Sequence, residues 1–157
     1  MNPLAFLETL HSLEVNFINL FFKNISMPNS TDKLNPTAAR CLITLNYEGQ
    51  MPMSKIAEQL HIEKGSFTTV AKKLEALDLI ERFTPADDRR LQIVQLTTKG
   101  KTMANVILHN FSIHIEDVFA RLPKNQSQQI IQAVHELDTV LAVALHHEVK
   151  INPTRRT

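Results

Sequence analysis

Apolar residues recur at helical spacing through most of this chain, and the first stripe is the widest. From Leu4 to Lys23, Phe6, Leu7, Leu10, Leu13, Phe17, Leu20 and Phe21 share one face, and Ile18 and Phe22 broaden it. Asn2 followed by Pro3 supplies a cap and a first-turn proline. A stripe this broad needs cover on more than one side, and a small domain obtains that from a partner chain. The stretch Ser26 to Asn35 holds Pro28, Asn29, Ser30 and Asp32 and reads as a loop. Asn35-Pro36 then opens a second helix with Ala39, Leu42, Ile43 and Leu45 inward, running to about Tyr47 and stopped by Gly49. Ile56, Ala57 and Leu60 make the stripe of a short third helix, and Phe67, Val70, Ala71, Leu74 and Leu77 that of a fourth.

The period changes after Leu77. Leu79 to Phe83 and Leu91 to Thr97 read as two strands, joined by the turn-rich, charged tip Thr84 to Arg90. Helical spacing returns from Thr98 to about Leu122, with Met103, Ile107, Phe111, Ile115, Val118 and Phe119 on one face, and Leu122-Pro123 breaks it. From Asn125 to Val149, Ile130, Ile131, Val134, Leu137, Leu141 and Leu145 recur at near-heptad spacing, which predicts helix packed on helix. The pattern predicts a mainly α protein, a helix-turn-helix with a β-wing, flanked by terminal helices that form a dimerisation lobe. The expected division is 1–34 for the N-terminal helix and loop, 35–100 for the winged region, 101–151 for the C-terminal helices and 152–157 for a frayed tail, all within a single domain.

Composition narrows the options. Three glycines, no Trp and 6% aromatic residues argue against an all-β fold and against a Gly-rich nucleotide loop. The net charge of +1 does not announce a nucleic-acid partner. Between Met53 and Lys101 there are nine Lys/Arg against seven Asp/Glu, a small excess, so placement has to carry the argument. A single cysteine, Cys41, excludes an intramolecular disulfide framework. No signal segment and no apolar run of about 18 residues is present, so a cytoplasmic protein without a membrane partner is expected.

Placement is informative in the fourth helix. Opposite its apolar stripe lie Ser66, Thr68, Thr69, Lys72 and Lys73, hydroxyls toward the start and lysines further on. Hydroxyls reach base edges or phosphates, and lysines neutralise phosphate. Two arginines at the hairpin tip suit a narrow minor groove, where the negative potential is strongest. Ser54-Lys55-Ile56-Ala57, Leu74-Glu75-Ala76-Leu77, Leu79-Ile80-Glu81-Arg82 and above all Asp88-Arg89-Arg90 followed by Leu96-Thr97 and Gly100 give this stretch its identity. In these motifs the chain resembles the MarR family of winged helix-turn-helix transcription regulators, over roughly Leu34 to Lys101.

The resemblance implies a homodimer on a pseudo-palindromic stretch of double-stranded DNA, repressing transcription and released by a small phenolic or lipidic effector. It assigns DNA contact to Lys64, Gly65, Ser66, Thr68, Thr69, Lys72 and Lys73 of the recognition helix, and to Asp88, Arg89 and Arg90 of the wing. Arg90 is the minor-groove residue and Asp88 the acid that fixes it. It implies a dimer seam that includes Leu4, Leu7, Leu10, Ile131, Val134, Leu137, Leu141 and Leu145. An effector pocket would involve Phe17, Phe21, Arg40, Cys41, Ile107 and Phe111, with Phe22 beside them, although the apolar members read equally as plain core. The chain departs from the family pattern twice. Glu63 stands where a capping Ser is common, and Asp78 where Gly usually ends the recognition helix.

Other chemistry finds little footing. His109 and His114 are five apart on a helix and diverge, as do His146 and His147, and no HExxH or Cys/His set exists, so no metal or cofactor is expected. No nucleophile–base set, phosphate loop or carboxylate pair suggests an enzyme. Two rivals stay open: a winged-helix module that binds protein, which has no use for Arg90 or for outward hydroxyls at Thr68 and Thr69, and a redox sensor acting through Cys41.

Overall fold

The computed structural model describes residues 2–23 and 34–151. The turn-forming residues Pro28 to Asp32 and the tail 152–157 lie outside the described residues. The elements run α1 (Pro3–Phe21), α2 (Pro36–Glu48), β1 (Met51–Pro52), α3 (Met53–Gln59), α4 (Lys64–Ala76), β2 (Ile80–Phe83), β3 (Ile93–Leu96), α5 (Thr98–Ala120) and α6 (Lys124–Ile151). The helix starts follow the sequence signals. Asn2 Oδ1 accepts from Leu4 N at 3.1 Å and Asn35 Oδ1 from Ala38 N at 2.8 Å, each with proline in the first turn. Gly49, at φ +78°, ends α2.

Two compact units divide the chain at His114/Ile115, within α5. The first unit holds the main core. Leu42, Ile56, Phe67, Leu74, Leu79, Val94 and Ile107 are all fully buried there, and they come from α2, α3, α4, the segment after α4, β3 and α5. The stripes of α2, α3 and α4 point into this core, as do Met103, Ile107 and Phe111 of α5.

The sheet has three strands in the order β1-β3-β2, all antiparallel. The wing hairpin pairs Ile80 with Leu96 and Phe83 with Ile93, and Gln95 Nε2 donates to Glu81 Oε1 across it at 2.6 Å. The sequence pattern does not reveal β1. It is two residues long and contains Pro52, which an edge strand tolerates because its missing N–H is not needed by a neighbour. The second wing strand begins at Ile93, two residues later than its alternation suggests. Leu91 N is instead drawn to Asp88 O at 3.1 Å by the turn.

α3 and α4 end alike. His61 and Asp78 take the left-handed conformation at φ +54° and +58°, and the next residues donate back across the last turn, Ile62 N to Ala57 O at 3.0 Å and Leu79 N to Leu74 O at 2.9 Å. This is the Schellman closure, in which the residue after the left-handed one packs on the helix it has just left. Leu79, buried, does so on buried Leu74.

Candidate nucleic-acid interface

The fourth helix buries Phe67, Ala71 and Leu74, packs Val70 against the same core and turns its polar face outward. Lys64, Gly65, Ser66, Thr69, Lys72 and Lys73 are exposed and Thr68 is half-buried. Thr68 Oγ1 donates to Lys64 O at 2.9 Å, so its hydroxyl proton is committed to the helix and its lone pairs face out as acceptors. Glu63 precedes the helix with extended backbone and makes no capping bond, which leaves the first-turn N–H groups uncapped by a side chain. Nothing lies within 4 Å of the position a Cβ would take at Gly65, so the backbone there is open to approach.

At the wing tip, Asp88 organises the turn. Its Oδ1 accepts from Arg90 N at 2.9 Å and lies 3.5 Å from Arg90 Nε. The Arg90 side chain is nevertheless 93% exposed, a tethered guanidinium standing in solvent. Arg89 is exposed and makes no ion pair among the described residues. The two elements face the same way. Lys64 and Thr68 of α4, Ser54 at the start of α3, and Arg90 and Gln92 from the wing border one cleft of about 240 Å³. A hydroxyl-bearing helix and a cationic finger that share a cleft can grip a polyanion at two depths, in the manner of base-edge and minor-groove contacts.

A brace behind this face was missed by the sequence reading. Arg82 of β2 forms an ion pair with Glu75 of α4 through Nη2 and Oε2, and its Nη1 lies 3.9 Å from Met53 Sδ. Both side chains are mostly shielded from solvent, and the carboxylate raises the guanidinium pKa further. Arg82 was visible only as part of a motif, and nothing in its local pattern pointed to α4.

The family model described as MarR family matches residues 34–91. The chain is 31% identical over 93 residues to the HTH-type transcriptional regulator MhqR of Bacillus subtilis, covering 59% of this chain and 64% of that regulator. It is 27% identical over 151 residues to the HTH-type transcriptional repressor MdtR of the same organism, covering 94% and 95%. A MarR-like transcriptional regulator from Thermotoga maritima superposes with a TM-score of 0.60 at 25% identity, covering 90% of this chain and 98% of that one. These matches support a winged-helix regulator of the MarR type. The relatives and the Thermotoga neighbour are described as transcriptional regulators, not as enzymes.

The MarR-type match accounts for the winged helix but leaves ligand chemistry to this chain's own residues. A mostly apolar cavity of about 220 Å³ is lined by Phe22, Pro36, Ala39, Arg40, Ile107 and Phe111, among others. Arg40, Ile107 and Phe111 are where a pocket was expected. Phe17, Phe21 and Cys41 are not among the lining residues. Phe21 is buried against Phe17, their ring centroids 4.9 Å apart, while Phe22 takes the lining position and meets Phe111 edge-on at 5.8 Å. Cys41 is fully buried in the core. Burial pushes its thiol up to about 12, so it stays protonated and enclosed, the opposite of a reactive thiolate. Among the described residues no three His, Cys, Asp or Glu side chains gather as a metal site, and no helix is long and apolar enough to cross a membrane.

The apolar stripes of the terminal helices face solvent within this single chain. Leu4, Leu7 and Leu10 of α1 and Ile131, Val134, Leu137, Leu141 and Leu145 of α6 are all exposed, from 44% at Leu10 to 70% at Leu4.

Proposed function

We propose that this MarR-family regulator binds a pseudo-palindromic operator in double-stranded DNA as a homodimer and represses transcription by occupying it. The observation that carries this reading is the cleft shared by the first turn of α4 and Arg90 of the wing, with Thr69, Lys72 and Lys73 exposed along the same helix. Lys64, Gly65, Ser66, Thr68 and Thr69 meet base edges and nearby phosphates, Lys72 and Lys73 meet phosphates, and Arg90, held by Asp88, enters the minor groove beside Arg89. Repression is favoured by the match to a described repressor over 94% of this chain.

The dimer is supported by exposed leucines, isoleucine and valine on α1 and α6, since contiguous apolar faces of this extent mark interaction surfaces. Two-fold symmetry then sets the recognition helices about 34 Å apart, one turn of the duplex. The cavity beside Arg40 is the place for a small phenolic or lipidic effector. Its walls suit an apolar body and the guanidinium suits an anionic or phenolic head. Release follows if that ligand favours a different set of the two lobes. A redox sensor acting through Cys41 is disfavoured, because that thiol is buried and held protonated.

Gel shifts on the DNA upstream of the protein's own gene test this reading. Wild type is expected to bind with steep salt dependence. Arg90→Ala should weaken specific binding about tenfold or more with the fold intact. Lys72→Ala should lower affinity on all sequences and flatten the salt slope by about one unit. Absence of salt-dependent binding, or an Arg90→Ala curve that overlays wild type, overturns it.

A further inference from the structure

The C-terminal end of the recognition helix is not left to water. Three successive carbonyls that close α4 are all taken by the residues that open α5. Leu77 O accepts from Lys99 Nζ at 2.7 Å, Asp78 O from Thr97 Oγ1 at 2.7 Å, and Leu79 O from Thr97 N at 3.2 Å. Thr97 Oγ1 in turn accepts from Gly100 N at 2.9 Å, so one hydroxyl caps the start of α5 and ties down the end of α4. Gly100 sits so close that an added Cβ would fall 1.8 Å from Leu79 O. Lys99 is exposed and has no packing reason to hold one geometry. Its ammonium sits where the negative end of the α4 dipole is strongest.

The last turn of α4 and the first turn of α5 therefore move as one piece. The recognition helix cannot tilt without carrying the base of α5 with it. Ile107 and Phe111, which line the apolar cavity, lie further along the same α5, about 12 Å from Lys99 at Ile107 by helical rise.

We infer that Thr97 and Lys99 are positioning residues that make the direction of α5 set the direction of the recognition helix, and hence the half-site spacing the dimer selects. The inference rests on the operator-binding homodimer proposed above. Neither residue needs to touch DNA. Their loss lets α4 rock about Asp78 and relaxes spacing selectivity.

The test compares wild type, Lys99→Met and Lys99→Arg on three versions of the operator, the native one and ones with a single base pair inserted or removed between half-sites. Wild type should discriminate against both altered spacings. Lys99→Met should lose about two- to fivefold of that discrimination, the scale of one exposed charge-to-dipole bond, while its thermal melting stays within a few degrees of wild type. Lys99→Arg, which still reaches the carbonyl, should restore it. A purely structural lysine would change melting or overall affinity without changing the ratio between spacings. If Lys99→Met keeps the full ratio, or Lys99→Arg does not restore it, the inference is wrong while the regulator reading stands. If wild type binds none of the three DNAs, the regulator reading falls and takes the inference with it.

Discussion

Replacing a helical glycine with alanine usually stabilises a protein, and Gly100 is predicted to reverse that sign. In an open helix the change is worth about 0.5–1 kcal/mol, because glycine loses more backbone freedom on folding. At Gly100 the new Cβ would lie 1.8 Å from Leu79 O, where real contacts essentially never fall below 3.0 Å. The obstacle is backbone, not a side chain that swings aside, and Leu79 is itself buried at the end of α4. Relief requires α5 to withdraw by more than about 1 Å, an overpacking cost of about 1–3 kcal/mol. Withdrawal also breaks the Thr97 N to Leu79 O bond and strains Gly100 N to Thr97 Oγ1, about 1 kcal/mol each. After the helix-propensity gain, Gly100→Ala should cost about 3 kcal/mol, or close to 10 °C in Tm for a chain of this size. Gly65→Ala is the control. With open space around it, it should raise stability by about 0.5 kcal/mol. On the proposed interface it should weaken operator binding, because the backbone there approaches DNA. Urea titrations at one fixed protein concentration measure both. A Gly100→Ala variant as stable as wild type would refute the reasoning.

The buried thiol gives a second test. Cys41 is raised from 9.0 to about 12, so between those values the unfolded chain releases a proton that the folded chain keeps. Stability should therefore fall as pH rises above about 9, by up to about 1.4 kcal/mol per unit, and Cys41→Ala should lack that component in urea titrations; parallel slopes would contradict the assignment. Asp78 sits at φ +58°. Asp78→Gly should raise stability by about 0.5–1 kcal/mol by removing left-handed strain, and an unchanged urea midpoint would count against it.

The elements that could be read from the sequence were those whose information is local. Helix starts at Asn2-Pro3 and Asn35-Pro36, the stripes of α2 to α5 and the charged wing tip each follow from neighbours within a few residues. The outward set from Lys64 to Lys73 was legible for the same reason, being the complement of a buried stripe. What stayed hidden depends on partners far along the chain. Met51–Pro52 becomes a strand only because β3 lies beside it. His61 adopts a conformation usually given to Gly or Asn because Ile62 gains core contact beyond it. Cys41 and Phe21 looked like pocket residues because their helical face is apolar, but an apolar face does not say which of its members meet a void and which meet other side chains.

Several of the contacts that the sequence did not reveal lie at the back and the far end of α4. Glu75 is paired with Arg82 from the wing. Leu77, Asp78 and Leu79 give their carbonyls to the start of α5. The left-handed turn at Asp78 folds Leu79 back onto Leu74. The N-terminal end has no comparable polar attachment, since Glu63 makes no side-chain cap and the space beside Gly65 is open. The helix is thus held by polar contacts at its C-terminal half, whereas its first turn is held by buried Phe67 and carries no side-chain cap. On the proposed operator-binding reading, such a helix keeps its bearing while first-turn N–H groups uncapped by a side chain and an open backbone lie at the end offered to a groove, where phosphate oxygens or base acceptors would complete the missing bonds. The weak cap at Glu63, a defect for an isolated helix, then becomes intelligible. On that reading the polar ties sit at the end that keeps the helix's bearing, and the uncapped donors at the end that would meet DNA.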